Sequence, residues 1–338
     1  MYIENKVINK YISYWLISIF LIVSLMIIVG GLTRLTDSGL SITQWQLLSG
    51  ILPPFTTDQW NHYFDLYKKI PEYKLQNYSM TLVEFKVIFW WEFIHRFLGR
   101  LIGIFFLIPL VFFTIKIGFK KTINLHLIFL LICLQGFIGW YMVSSGLVDR
   151  IDVSHYRLAL HLVLAFIILS LIFWNYLTYK KIPLPYKKIN NFLPLFFVIL
   201  LFIQLIMGAF VSGLDAGKIY NTWPLMENNY FPDDNSITTL FNFSSFNEPS
   251  VVQFIHRNLA YIIIIFYILI FFKIYRRKIS DYFKILNTIG ILLFFQVLLG
   301  IVTLLSGAQM FFSSIHQVSS IFLIISSIYF LYLNTKSS

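Results

Sequence analysis

Four histidines that lie inside long apolar stretches are the residues of this chain best suited to chemistry. They are His95, His161, His256 and His316; 66 residues separate the first two and 60 separate the last two. An ionisable side chain within an apolar membrane-spanning segment is costly and marks a candidate functional site. Paired neutral imidazoles on facing helices suit the axial coordination of a haem iron, whereas a zinc or dinuclear site would recruit further carboxylate or cysteine ligands. The sequence therefore predicts two bis-histidine sites.

The segment around His95 returns in altered form around His256. Both copies read Phe-Ile-His-Arg-x-Leu, but Glu92 stands three residues before the first histidine and Gln253 before the second. Residues at i and i+3 share a helix face, so each side chain can point into the pocket of its histidine. An amide can neither accept a proton nor balance a cation near neutral pH. We expect the Glu92 site to do chemistry and the Gln253 site to hold a permanent haem; alternatively, Glu92 only pairs with a nearby arginine.

Three arginines accompany these motifs. Arg96 and Arg257 directly follow the histidines, and Arg100 comes one helix turn after Arg96. A guanidinium can pair with a carboxylate, such as a haem propionate, through two parallel hydrogen bonds. Near a membrane boundary it can equally extend to water. Both interpretations stay open, and the three arginines are candidate cofactor-binding residues together with Gln253.

The elements that must position these residues follow from the composition. Of the 338 residues, 58% are hydrophobic and only 12% are charged, against roughly 25% charged residues in a soluble domain. Eight apolar runs are long enough to cross about 30 Å of hydrocarbon as helices. These runs are 12–30, 87–115, 122–144, 156–178, 192–212, 250–273, 281–305 and 311–333. The predicted fold class is an all-α polytopic membrane protein with eight transmembrane helices.

The charges predict how these helices are oriented. The net charge is +11, and Lys and Arg concentrate in short connectors between alternate pairs of helices. By the positive-inside rule these connectors and both termini are cytoplasmic, so the positive charge is a topology signal and no nucleic-acid partner is expected. The single cysteine, Cys133, lies inside an apolar run, which argues against a disulfide or a cysteine metal site. We expect a multi-pass protein of the bacterial inner (plasma) membrane with its histidines toward the periplasm.

The chain also repeats internally. We predict two pseudo-symmetric four-helix bundles, an N-terminal domain at 1–185 and a C-terminal domain at 186–338. A Gln-x3-Gly pattern recurs on the third, fifth and seventh helices, at Gln135–Gly139, Gln204–Gly208 and Gln296–Gly300. Small residues let membrane helices approach closely, which is one interpretation of these glycines, and close approach to a flat ligand is the other.

Two outer loops, 31–86 and 213–249, are long and rich in aromatic residues. Loops of this length are uncommon unless they have a function. We expect them to cover a site at the outer surface, and loose linkers are the alternative.

Several of these motifs together resemble the haem A synthase family, in its proteobacterial and mitochondrial-type branch. They are the run Glu92-x-x-His95-Arg96-x-x-Gly99-Arg100, the single histidines on the three other ligand-bearing helices, and the early segment from Gly30 to Ser41. The resemblance covers nearly the whole chain. Another branch of that family carries cysteine pairs in the outer loops, and this sequence has none.

The resemblance implies an oxidoreductase that converts the C8 methyl group of haem O to the formyl group of haem A. Water would supply the oxygen, and the electrons would pass to an acceptor. His95 and His161 would hold the substrate haem O, and His256 and His316 would hold a haem b. Glu92 would match the functional acid of the family, which stabilises a developing cation or accepts its proton.

Two other functions remain open at this point. A bis-histidine b-type cytochrome would need haems stacked across the membrane, and a haem or metal transporter would need polar groups along the inner part of its path. The predicted positions of the histidines, all in the outer half, serve neither well. Membrane lipid and haem O are the expected partners. Association with the farnesyltransferase that makes haem O, and homo-oligomer formation, stay undecided.

Overall fold

The computed structural model describes residues 2–45 and 49–337. Within these residues there are ten α-helices: α1 Tyr2–Leu35, α2 Thr57–Tyr67, α3 Pro71–Leu75, α4 Leu82–Ile117, α5 Phe119–Asp149, α6 His155–Lys180, α7 Phe192–Gly213, α8 Pro249–Arg276, α9 Phe283–Leu305 and α10 Met310–Lys336. The same residues contain short 3-10 turns and one isolated bridge between Met226 and Asn229, but no β-strand. The prediction of an all-α protein is confirmed.

Eight helices of the described chain are long and apolar enough to span a membrane, namely α1 and α4 to α10. This confirms the predicted multi-pass architecture. Seven of these eight helices run beyond the predicted apolar runs, most clearly α1, which begins at Tyr2 instead of residue 12. The exception is α9, which begins at Phe283, two residues after the predicted start. An apolar window detects only the part of a helix that crosses hydrocarbon, whereas the helix itself continues until a cap or a breaking residue ends it.

The start of α4 shows such a cap. Thr81 and Glu84 form a capping box, in which the Thr81 amide donates to the Glu84 carboxylate at 2.8 Å and the Glu84 amide donates to Thr81 Oγ1 at 3.4 Å. This reciprocal pairing satisfies amide groups that have no partner inside the helix. The helix therefore begins five residues before the predicted position of residue 87, and the added residues include Phe85.

The first outer loop packs onto the first turns of α4. Helix α2 buries Trp60, Phe64 and Tyr67, and the ring centroids of Trp60 and Phe89 lie 4.9 Å apart while those of Phe64 and Phe85 lie 5.0 Å apart. Burying each such side chain stabilises the contact by about 1.5–3 kcal/mol. We call helices α2 and α3 the α4 cap. This part of the loop is therefore a packed structure and not a loose linker.

The chain divides into two compact units, Met1–Tyr179 and Lys180–Ser338. In the N-terminal unit, α4 packs against both α1 and α5. In the C-terminal unit, α7 packs against α8 and α10, and α9 packs against α10. Each unit thus contains four spanning helices and one pair of the candidate histidines.

Candidate functional site

The two histidines of the N-terminal unit lie close together. The rings of His95 on α4 and His161 on α6 have centroids 6.4 Å apart and planes inclined by 54°. Two imidazoles that bind one metal ion from opposite sides, with metal–nitrogen bonds of about 2 Å, place their ring centroids about 6 Å apart. The observed separation fits the coordination of a single metal ion between the two rings.

The C-terminal unit has a second pair of histidines, His256 on α8 and His316 on α10. Across the described residues no cluster of three or more His, Cys, Asp or Glu side chains could hold a metal ion. A metal at either pair must therefore bring most of its own ligands, as the iron of a porphyrin does. The donor set fits a haem and does not fit a structural zinc.

A glycine of the preceding spanning helix faces each of the four imidazoles. The distance from an ideally placed Cβ on the glycine to the Cε1 atom of the ring is 3.1 Å for Gly30 and His95, 2.9 Å for Gly139 and His161, 3.3 Å for Gly208 and His256, and 3.0 Å for Gly300 and His316. These distances are shorter than ordinary van der Waals contacts. The group that approaches each glycine closely is thus an imidazole ring.

Glu92 is buried and accepts four hydrogen bonds. Its Oε1 accepts from Arg96 Nε at 3.0 Å and Nη2 at 2.6 Å, and its Oε2 accepts from Ser41 Oγ at 2.7 Å and from the Ile42 amide at 2.6 Å. Only 3% of its surface is exposed. The carboxylate therefore pairs with Arg96, as one sequence interpretation proposed, and it also holds the segment after α1 against α4.

Gln253 occupies the matching position in the C-terminal unit. Its Nε2 donates to the carbonyl oxygens of Ala216 and Ile219, both at 2.7 Å. Its Oε1 accepts from Arg257 Nη2 at 2.7 Å. Gln253 thus holds the segment after α7 against α8, in the way that Glu92 holds the segment after α1.

The sequence from residue 13 to residue 328 matches the model of the family described as cytochrome oxidase assembly protein, COX15-CtaA. The chain belongs to this family. Curated relatives include the Heme A synthase of Pelagibacter ubique (strain HTCC1062), 50% identical over 99% of this chain and 100% of its own length. Those of Rickettsia bellii (strain RML369-C) and Maricaulis maris (strain MCS10) are 43% and 41% identical over 94% and 95% of this chain, and 96% and 95% of their own lengths. The predicted resemblance is confirmed.

Two of the three candidate arginines bond to the outer loops. Arg96 Nη2 also donates to the Ile42 carbonyl at 2.8 Å, and its guanidinium lies 5.1 Å from the centre of the Trp45 ring. Arg257 donates to the carbonyls of Tyr220 at 2.7 Å and Thr222 at 3.0 Å. Arg100 and Arg96 line a small pocket between the first outer loop and α4. Propionate binding by these arginines stays a prediction.

Sequence reasoning did not identify the residues at the end of α1 and just after it that bond to Glu92 or to one another beside it. Ser41 and Ile42 bind Glu92, and Arg34 pairs with Asp37 at 2.7 Å and with Asp152 at 3.6 Å. Arg34, Asp37 and Ser41 stand in the early segment that carried the family resemblance. Their presence there was the available signal, but no spacing rule connects them to Glu92, about fifty residues later in the chain.

Proposed function

We propose that this protein is a haem A synthase, which oxidises the C8 methyl group of haem O to a formyl group. The observation that carries the proposal is the difference between two otherwise similar histidine sites. A buried carboxylate, Glu92, lies one helix turn from His95, and an amide, Gln253, lies one turn from His256. The names of the relatives support the same activity. The cytochrome and transporter alternatives are not favoured.

His95 and His161 hold the substrate haem O in this proposal, and His256 and His316 hold a haem b. When bound, the haem b supplies an iron centre that passes electrons onward to an acceptor. The 6.4 Å separation of the His95 and His161 rings supports the first assignment, because it leaves room for one iron atom and its two axial bonds. The assignment of a permanent haem to the C-terminal unit rests on Gln253, which cannot balance a positive charge.

The overall reaction converts one methyl group and one water molecule to an aldehyde, with release of four electrons and four protons. Each of its two oxidations removes two electrons and one proton from the carbon, and water then adds to the resulting cation with release of a second proton. The diol formed by the second addition loses one water molecule to give the aldehyde. A fixed negative charge beside that carbon lowers the energy of the cationic transition state. Glu92 supplies this charge. Each of its two oxygens already accepts two hydrogen bonds. Glu92 can therefore stabilise a cation without rearrangement, whereas accepting a proton would require one of those bonds to break.

The variant Glu92→Gln tests the proposal. The protein is co-expressed with a source of haem O, and the extracted haems are separated and identified. We expect haem O and haem b without haem A. Glu84→Gln is the matched control, because it changes an acid on the same helix and glutamine still completes a capping box; it should make haem A normally. A normal yield of haem A from Glu92→Gln would remove this carboxylate from the mechanism.

We further propose that the protein lies in the bacterial inner membrane with its histidine pairs toward the periplasm. Basic connectors between alternate helix pairs support this orientation. Reporter fusions to the C-terminus and to the loop after α7 test it. The C-terminal reporter should be active only in the cytoplasm and the loop reporter only in the periplasm. Copurification of the intact membrane protein with the haem O-producing farnesyltransferase, and with a differently tagged copy of itself, tests the two partner predictions.

A further inference from the structure

Three of the four histidines are also bound through their backbone by a glutamine of the preceding spanning helix. The side-chain amide donates to the histidine carbonyl oxygen, at 2.9 Å from Gln135 to His161, 3.1 Å from Gln204 to His256, and 3.0 Å from Gln296 to His316. In each case the glutamine stands four residues before the glycine that faces the same imidazole. Each of these histidines therefore makes two contacts with the preceding helix. Its backbone carbonyl accepts a hydrogen bond from the glutamine, which we call the tether, and its ring packs against the glycine, which we call the seat.

The two contacts constrain different motions. A hydrogen bond from glutamine to a helical carbonyl fixes the height of one helix against its neighbour, since in a membrane few other polar groups compete for that bond. The glycine fixes the position of the ring, because an added methyl group would come within about 3 Å of Cε1, and close-packed side chains have no room to move aside. Together they hold an imidazole at one height and one distance from its partner. Groups behind a metal ligand tune its affinity in this way.

His95 is the exception. Gly30 faces its ring like the other glycines, but the residue four positions before Gly30 is Met26. A methionine side chain has no N–H to donate. Its terminal methyl group instead lies 3.5 Å from an ideal Cβ on Gly99, on the helix that carries His95. The His95 ring thus packs against a glycine, but no glutamine of the preceding spanning helix bonds to its backbone. Both histidines of the C-terminal unit make both contacts.

We propose that Gln135, Gln204 and Gln296 are positioning residues for haem ligation. His95 is then the ligand that moves away from the iron when a porphyrin enters or leaves the N-terminal unit. This rests on the proposed function, in which that unit exchanges haem O for haem A and the C-terminal unit keeps its haem b. Two tethered ligands suit retention. One tethered and one untethered ligand suit exchange, because the flexible thioether of Met26 lets the helix turn at His95 shift without breaking an interhelical hydrogen bond.

Gln204→Met tests the tether in the C-terminal unit, since it installs there the residue found at position 26. The purified full-length holoprotein is mixed with excess apomyoglobin, and the rate of haem b transfer is followed by absorbance. We expect transfer about 10-fold faster than in the wild type, the lower end of the effect of losing a group behind a metal ligand. The low-spin electron paramagnetic resonance signal should also shift. Gln309→Met, outside the spanning helices, is the control and should leave both readouts unchanged.

Met26→Gln is the reciprocal variant. It should slow the release of haem A from the N-terminal unit by a similar factor while the haem b signal stays constant. If Gln204→Met does not fold, Gly208→Ala replaces it, because the added methyl group displaces the His256 ring and must shift the same resonance signal. Wild-type transfer rates and an unshifted signal in Gln204→Met or Gly208→Ala would overturn the inference. Failure of the wild type to make haem A from haem O would instead overturn the proposed function and leave the tether result standing.

Discussion

Glu92 and Gln253 hold matching helix positions but bond to their outer loops in opposite senses. The carboxylate of Glu92 accepts from a hydroxyl and a backbone amide at residues 41 and 42, whereas the amide of Gln253 donates to two carbonyls at residues 216 and 219. Both accept from the arginine four residues later. The exchange of acid for amide therefore changes how the outer loop is attached as well as the charge beside the histidine. Experiments must separate these two effects.

Ser41→Ala separates them. The substitution removes one hydrogen bond from Glu92 and leaves its charge in place, at a cost of about 1–3 kcal/mol to the attachment of the loop. If the charge is what matters, haem A formation should fall by only a few-fold, while Glu92→Gln abolishes it. The measurement is the ratio of haem A to haem O extracted from membranes with equal amounts of each variant. Equal losses in both variants would mean that Glu92 acts mainly as an anchor for the loop.

Removal of one ligand from each pair distinguishes the two sites. His316→Ala should lose haem b, because a bis-histidine site left with one axial ligand binds its iron less tightly. His161→Ala should keep haem b and fail to retain haem O. Extraction and chromatography of the bound haems, with protein quantified in parallel, give both answers. Loss of haem b from His161→Ala together with its retention in His316→Ala would reverse the assignment of the two units.

The α4 cap should loosen as the pH rises. Glu72 is 3% exposed, and burial, helped by the charge of Glu92, raises its pKa from 4.5 to about 8, although a hydrogen bond from the Tyr67 hydroxyl opposes the shift. The folded cap thus binds a proton that the unfolded chain releases at a lower pH. The stabilisation from this proton is complete below a pH of about 4.5 and is lost as the pH rises through about 8.

Limited proteolysis of residues 56–77 measures this effect. Cleavage should be faster at about pH 9 than at about pH 6, and Glu72→Gln should abolish the difference because its amide does not ionise in that range. Glu84→Gln, which changes an acid outside the cap, should keep the wild-type pH dependence. An unchanged pH dependence in Glu72→Gln would assign the effect to another group.

The sequence predicted most of the helices because the signal for a membrane span is local. A run of about 20 apolar residues satisfies the hydrocarbon core by itself. The early start of α4 was missed although Thr81 and Glu84 have the spacing of a capping box, because these residues precede the apolar run that defined the predicted helix.

The sequence by itself determined that four histidines lie on four membrane helices and that only one pair has an acid beside it, since residue identity and hydropathy need no knowledge of neighbours. The tertiary structure alone decided which groups touch these residues. Ser41 and Ile42 reach Glu92, each imidazole meets a glycine, and the α4 cap folds onto Phe85 and Phe89. Such contacts join positions far apart in the chain, and their pairing depends on how the helices pack and where the loops return, which no local pattern specifies.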